Sequence, residues 1–168
     1  LDHLARRQGL DEALVDQIAD QIAAFHARAE VAPAETHFGT PETVWAPMQQ
    51  NLEQIGPLLE TDADRARLDE MARLSAAAFE AIRPTLERRK REGHIRECHG
   101  DMHLANMALQ DGTVTIFDGI EFNDEFRWTD TANDLAFALM DLNKRRLIAA
   151  ARQLLNRYLE ISGDYEAL

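Results

Sequence analysis

One stretch limits the possible fold more than any other, the run from Cys98 to Asp118, CHGDMHLANMALQDGTVTIFD. The residues after Asn106 alternate briefly, meet Asp111-Gly112, and resume as Thr113-Val114-Thr115-Ile116-Phe117. An Asp-Gly pair between two β-prone runs favours a two-residue hairpin turn, because both positions tolerate positive φ. Such a hairpin carries Asp118 back beside the loop that holds Asp101 and Asn106. Three oxygen-bearing side chains are then expected to converge, two of them suited to a hard divalent cation.

Around this stretch the chain reads as helical. Residues 11–30 place Leu14, Val15, Ile18, Ile22, Phe25 and Ala29 at helical spacing behind a capping Asp11. Thr40-Pro41-Glu42 is a helix start, with a capping hydroxyl and Pro at the first helical position. Val44, Met48, Leu52 and Ile55 mark its expected buried face, and Gly56-Pro57 its end. A longer helix is predicted over about 64–92, with Leu68, Met71, Ser75, Phe79, Ile82 and Leu86 on one side, a bend at Pro84 and Gly93 as terminator. Its basic end, Glu87-Arg88-Arg89-Lys90-Arg91-Glu92, reads as a solvated terminus whose cations complement the helix dipole. Leu135-Ala136-Phe137-Ala138-Leu139-Met140, apolar on several sides, predicts a buried helix with its polar start facing the central stretch. A last amphipathic helix is predicted over about 144–160. The fold class is therefore α+β, mainly α-helical, with one short hairpin. At 168 residues the chain suits a single domain spanning residues 1–168.

Composition excludes several functions. A formal net charge of −12 argues against a nucleic-acid partner. No apolar run approaches the ~20 residues that cross a bilayer. A single cysteine, Cys98, excludes an internal disulfide framework and fits a reducing, cytoplasmic setting. The chain opens on Leu rather than Met, as expected of a fragment or a processed chain.

The residue types of the central loop suit phosphoryl transfer, which needs an aligned acceptor, a proton receiver and an offset for phosphate charge. Asp101 is the candidate to orient and deprotonate a hydroxyl. Asn106 and Asp118 are the candidate Mg2+ ligands, one amide and one carboxylate oxygen, which leaves room for water and phosphate. Asp101 and Asn106 also have the four-residue separation of the Asp and Asn in protein-kinase catalytic loops. Taken singly, each of the three is an ordinary turn residue. The rival chemistry is a metal-dependent hydrolase built on His94, Cys98, His99, Asp101 and His103, which are zinc-ligand types. It lacks a Cys-x-x-Cys or His-Glu-x-x-His arrangement and stands as the minor alternative. His99 is read as a support of the loop, and His103 as a second support or a contact to acceptor or phosphate. Cys98 beside His99 reads as a packed thiol, since adjacency in sequence does not orient the two groups as a catalytic pair.

Three blocks, His99-Gly100-Asp101-x-His103-x-x-Asn106, Ile116-Phe117-Asp118 and Asp130-x-x-x-Asp134-Leu135-Ala136, together resemble the C-terminal lobe of the aminoglycoside phosphotransferase family, also called choline-kinase-like. The resemblance implies the C-terminal lobe of a protein-kinase-like fold, ATP as substrate and Mg2+ as cofactor. It implies Asp101 as catalytic base, Asn106 and Asp118 as metal ligands, and Asp134 as a buried carboxylate bracing the loop through backbone N–H groups. Its implied partners are a small-molecule hydroxyl acceptor and an N-terminal lobe with a glycine loop and an anchoring lysine. Phe117-Asp118-Gly119-Ile120-Glu121-Phe122 resembles a bacterial branch sometimes fused to a P-loop ATPase domain. No glycine-rich loop precedes residue 93, and the two lysines, Lys90 and Lys144, are expected at a helix end and a helix start. The chain alone is thus expected to lack half the ATP site and to be inactive. A non-catalytic kinase-like binding module is the alternative reading.

Overall fold

The computed structural model describes residues 1–7 and 9–168. In chain order its elements are α1 (Asp2–Arg7), α2 (Glu12–Arg28), α3 (Pro41–Ile55), α4 (Asp62–Arg91), β1 (Ile95–Glu97), β2 (Met107–Gln110), β3 (Thr113–Ile116), α5 (Asp124–Arg127), β4 (Trp128–Asp130), α6 (Thr131–Lys144) and α7 (Ile148–Ser162), with short 3-10 turns at Gly56–Leu58, Leu104–Asn106 and Tyr165–Ala167. The protein is α+β and mainly helical. Contacts divide it into two compact units, Leu1–Ala32 with His94–Leu168, and Pro33–Gly93. No helix among the described residues is long and apolar enough to cross a membrane.

The first unit holds the candidate site. Its core is built by Val15, Ile18 and Ile22 of α2, Leu135, Ala138 and Leu142 of α6, and Ala151, Leu154 and Tyr158 of α7. The central loop joins this core through alternate residues: Met102 and Leu104 are fully buried, while Asp101 and His103 stay partly exposed. Burying two such side chains contributes about 1.5–3 kcal/mol each, which holds the intervening His103 and the preceding Asp101 at the surface of the core.

The hairpin forms in the register its turn dictates. Met107 pairs with Ile116 and Gln110 with Thr113, leaving Asp111 and Gly112 as the two-residue turn. Both have positive φ, 50° and 79°, as a type I′ turn requires. The Phe117 N–H extends the ladder by donating to Asn106 O at 3.0 Å. A second antiparallel pair, β1 with β4, has only three residues per strand, too short to leave a pattern in the sequence. It sets the course of α6. The Thr131 N–H donates to His94 O, and the helix then runs beside the loop, meeting His99 and Gly100 one turn later and Leu104 further on.

Two boundaries differ from the sequence reading. Lys144 ends α6 instead of opening α7. The cause is a Schellman turn: Arg146 takes φ 64°, its N–H donates to Asn143 O, and the Leu147 N–H donates to Leu142 O. α7 accordingly starts at Ile148 and runs to Ser162.

The second unit pairs α3 with α4. Thr40 and Thr61 cap them, accepting from the N–H groups of Thr43 and Asp64. Trp45 stacks on Phe79 with ring centroids 4.8 Å apart, and the Arg83 guanidinium lies over the same Phe79 ring. Phe79 lies on the expected face of α4, whose Leu68, Ser75 and Leu86 are also partly covered, whereas α3 turns Trp45 to the contact in place of most of its expected face. Val44, Met48 and Ile55 of α3 and Met71 and Ile82 of α4 are left exposed. The basic end of α4 is also less solvated than expected: Arg89 is buried, and Lys90 Nζ donates to the carbonyls of Thr36 and Phe38.

Candidate active site

The loop from Cys98 to Asn106 is held by two carboxylates on α6. Asp134, wholly buried, accepts from the His99 N–H at 3.0 Å through Oδ2 and from the Gly100 N–H at 2.9 Å through Oδ1. Asp141 lies seven residues on, two turns along the same face, and its Oδ2 accepts from the Leu104 N–H at 3.1 Å. That bond caps the 3-10 turn that presents Asn106, and Arg145 Nε donates to the other Asp141 oxygen at 3.0 Å. Both ends of the loop are thus fixed from beneath.

Gly100 permits this arrangement. Its φ is 81°, and a Cβ there would stand 2.7 Å from Phe126 O, inside van der Waals contact. Only glycine fits.

His99 ties the loop to the end of the hairpin. Its Nε2 lies 2.8 Å from Phe117 O, and a carbonyl only accepts, so Nε2 carries the hydrogen. Nδ1 is then the acceptor for the Asp101 N–H at 3.3 Å. His99 O accepts from the Ile120 N–H at 2.9 Å. Bonds at Phe117 and Ile120 therefore bracket Asp118, whose backbone takes φ 64°. Left-handed backbone at a residue other than glycine costs about 1–3 kcal/mol and clusters at functional sites.

The remaining predicted residues lie on the loop itself. The Asp101 side chain is 42% exposed, and its Oδ2 is 3.3 Å from both His103 Nε2 and Asn106 Nδ2. Asn106 Nδ2 also donates to Asp101 O at 3.0 Å. Because that carbonyl can only accept, the amide nitrogen must face it, and the amide oxygen Oδ1 is turned the other way. His103 Nδ1 is buried without a hydrogen-bond partner among the described residues. Beside His99 lies a cleft of about 300 Å³ lined by Phe25, Ile116, Phe117, Ile120 and the ion-paired Glu97 and Arg127.

The histidines and the cysteine considered for zinc turn to different neighbours: His94 to Asp164, Cys98 Sγ to Thr129 O, His99 to Phe117 O and His103 to Asp101. The described residues gather another set, His26, Cys98 and Asp134, with ligand atoms within 4.8 Å of one another. Each already has protein partners, and burial pushes the Cys98 thiol up, away from the thiolate a soft metal requires.

His26 and Asp141 are absent from the sequence reading. His26 Nε2 lies 3.1 Å from Asp134 Oδ2, and Nδ1 lies 2.8 Å from the Tyr158 hydroxyl. The available signal was a histidine eight residues after Ile18 and four after Ile22, on the apolar stripe of α2. For Asp141 it was the seven-residue spacing from Asp134.

The fold and loop define a mainly helical α+β protein whose glycine-bearing, Asp- and Asn-containing loop is fastened to one face of α6. That helix is buried on this side and exposed at Ala136 and Met140, rather than buried all round as the sequence suggests. A profile of the phosphotransferase enzyme family matches residues 2–168, and the chain belongs to that family. It is 30% identical over 135 residues to the uncharacterized proteins Mb2027c of Mycobacterium bovis and Rv2004c of Mycobacterium tuberculosis, an alignment covering 78% of this chain and 26% of each relative. The chain thus spans about a quarter of the length of these curated relatives. No solved structure matches it significantly.

Proposed function

We propose that this chain is the catalytic C-terminal lobe of an ATP-dependent small-molecule kinase with a protein-kinase-like fold, both units contributing to that lobe. The observation that carries the reading is the contrast within the loop. Its backbone is fastened by Asp134 and Asp141, while the Asp101 carboxylate remains 42% exposed and reachable by a substrate. In the proposed reaction Asp101 orients the acceptor hydroxyl and takes its proton. The hydroxyl oxygen bonds to the γ-phosphorus of ATP as the bond to the β,γ-bridging oxygen breaks, and ADP leaves.

Asn106 and Asp118 would hold Mg2+. The donor set fits that ion: a neutral amide oxygen turned away from Asp101 O and one carboxylate, with coordination positions left for water and phosphate. Bound there, Mg2+ supplies the positive charge that offsets the transferring phosphoryl group. His99, bonded to Phe117 O and the Asp101 N–H, keeps the loop and the hairpin end in register. His103 limits the rotation of the Asp101 carboxylate. The nucleotide site is completed by an N-terminal lobe, and some members of this branch add a P-loop ATPase domain.

The test is transfer of label from γ-labelled ATP with Mg2+ to a hydroxyl-bearing panel of an aminoglycoside, choline and homoserine, using the full-length protein. Asp101→Asn should lower transfer by about 10²–10⁴-fold with ATP affinity retained, the range for loss of a general base. Equal transfer by the variant, or nucleotide binding with no transfer by the wild type, would overturn the reading in favour of a non-catalytic module.

A further inference from the structure

We infer that His26 and Tyr158 are positioning residues of the catalytic loop, acting on it through Asp134. This rests on the function proposed above and extends it to side chains that touch neither substrate nor metal. The two oxygens of Asp134 meet three hydrogen-bond donors: the N–H groups of His99 and Gly100 and the ring Nε2 of His26. The two backbone donors belong to the loop. The third comes from α2 and is the one donor that the loop does not supply. Because the carboxylate only accepts, Nε2 must carry a hydrogen, and Oδ2 is shared between His26 and the His99 N–H. The orientation of the carboxylate, and hence the line along which it holds the loop, is set from outside the loop.

His26 is in turn oriented by Tyr158. The hydroxyl meets Nδ1 at 2.8 Å, and the two rings pack edge to face with centroids 5.6 Å apart. The sequence of contacts runs from α7 to α2 to α6 to the loop, and it ends on the two residues immediately before Asp101.

A purely architectural role explains this poorly. A buried histidine and tyrosine cost more than apolar residues of similar size unless their polar atoms are matched. Here both ring nitrogens of His26 are matched, one by the Tyr158 hydroxyl, which also bonds the Thr131 side chain, and the other by the Asp134 carboxylate. The joining of α2 to α7 has its own supports, Arg157 with Asp20 and Gln153 with Asp16, in addition to the apolar core. The polar chain is therefore surplus to holding the helices together, and its remaining task is at the loop.

The experiment uses the full-length protein with Tyr158→Phe, His26→Leu and His26→Gln. Two measurements are made: amide hydrogen exchange resolved by mass spectrometry, and kcat and KM for label transfer from γ-labelled ATP. Tyr158→Phe removes a single hydroxyl, so it keeps the test open if a His26 variant fails to fold. Tyr158→Phe and His26→Leu should speed exchange at His99 and Gly100 by about tenfold or more, with α7 amides unchanged. They should lower kcat by about 10–100-fold with KM for ATP nearly constant, the range for loss of an outer-shell partner. His26→Gln, whose amide can still donate to Asp134, should recover part of both losses. Exchange that rises equally across α2, α7 and the loop, or that does not change at His99 and Gly100, would overturn the inference. Local loosening in a protein that transfers no phosphate would uphold the network and overturn the phosphotransferase reading instead.

Discussion

Replacing Asp134 by Asn keeps the size and shape of the side chain and removes its charge. In the native site the carboxylate accepts three hydrogen bonds, from Gly100 at 2.9 Å, His99 at 3.0 Å and His26 at 3.1 Å. An amide has one oxygen, so its NH2 group must face at least one of these donors, and that donor is left buried and unmatched. Hydrogen bonds to an ionised acceptor contribute about 1.5–3 kcal/mol each, and an orphaned buried donor costs about 1–3 kcal/mol. With the residue wholly buried and water excluded, the sum comes to about 3–5 kcal/mol, comparable to breaking a buried charged pair. That is a large share of the ~5–15 kcal/mol that typically holds a domain folded. The chain has two tryptophans, and only Trp128 lies in the unit that contains the loop. A Trp45→Phe background therefore makes urea unfolding, followed by fluorescence, report on that unit. At a slope of ~2 kcal/mol per molar urea, the midpoint should fall by about 1.5–2.5 M. A fall equivalent to less than ~1 kcal/mol would refute the claim that Asp134 is the anchor of the loop.

Gly100→Ala should destabilise the protein by at least about 2 kcal/mol, from left-handed backbone and the contact with Phe126 O. Thermal unfolding measures it, and a change within ~0.5 kcal/mol would contradict the packing described. Burial pushes the Tyr158 hydroxyl up to about 12 from an ordinary 10.0. The folded state therefore favours the protonated form, a contribution fully present below pH 10 and lost as pH rises through about 12, amounting to at most ~2–3 kcal/mol. Urea midpoints measured from pH 9 to 12 should fall more steeply for the wild type than for Tyr158→Phe; parallel curves would contradict the assignment.

The parts of this fold legible in the sequence are those that local rules determine. Asp111-Gly112 fixes the hairpin because few other pairs accept positive φ at both turn positions. Asp11 and Thr40 cap α2 and α3 because their short side chains reach the free N–H groups of the first turn. Where tertiary contacts decide, the sequence is silent or misleading. The three-residue strands β1 and β4 exist only as each other's partners. The face of α3 follows from the Trp45–Phe79 stack, which outweighs the aliphatic periodicity of Val44, Met48 and Ile55. In the site, Asp101, Asn106, Asp118 and Asp134 stand out by spacing and residue type. His26 and Tyr158 do not, since they are 132 residues apart and meet only after α2 and α7 pack.

We propose that Asp101, Asn106 and Asp118 gather around one Mg2+-bound nucleotide. Directed cleavage tests it most closely: Fe2+ replaces Mg2+ in the full-length protein with ATP present, and the backbone cuts it generates are mapped by mass spectrometry. Cuts should cluster at residues 101–106 and 117–119 and be lost in Asn106→Ala and Asp118→Ala. Cuts elsewhere, with both segments intact, would contradict it.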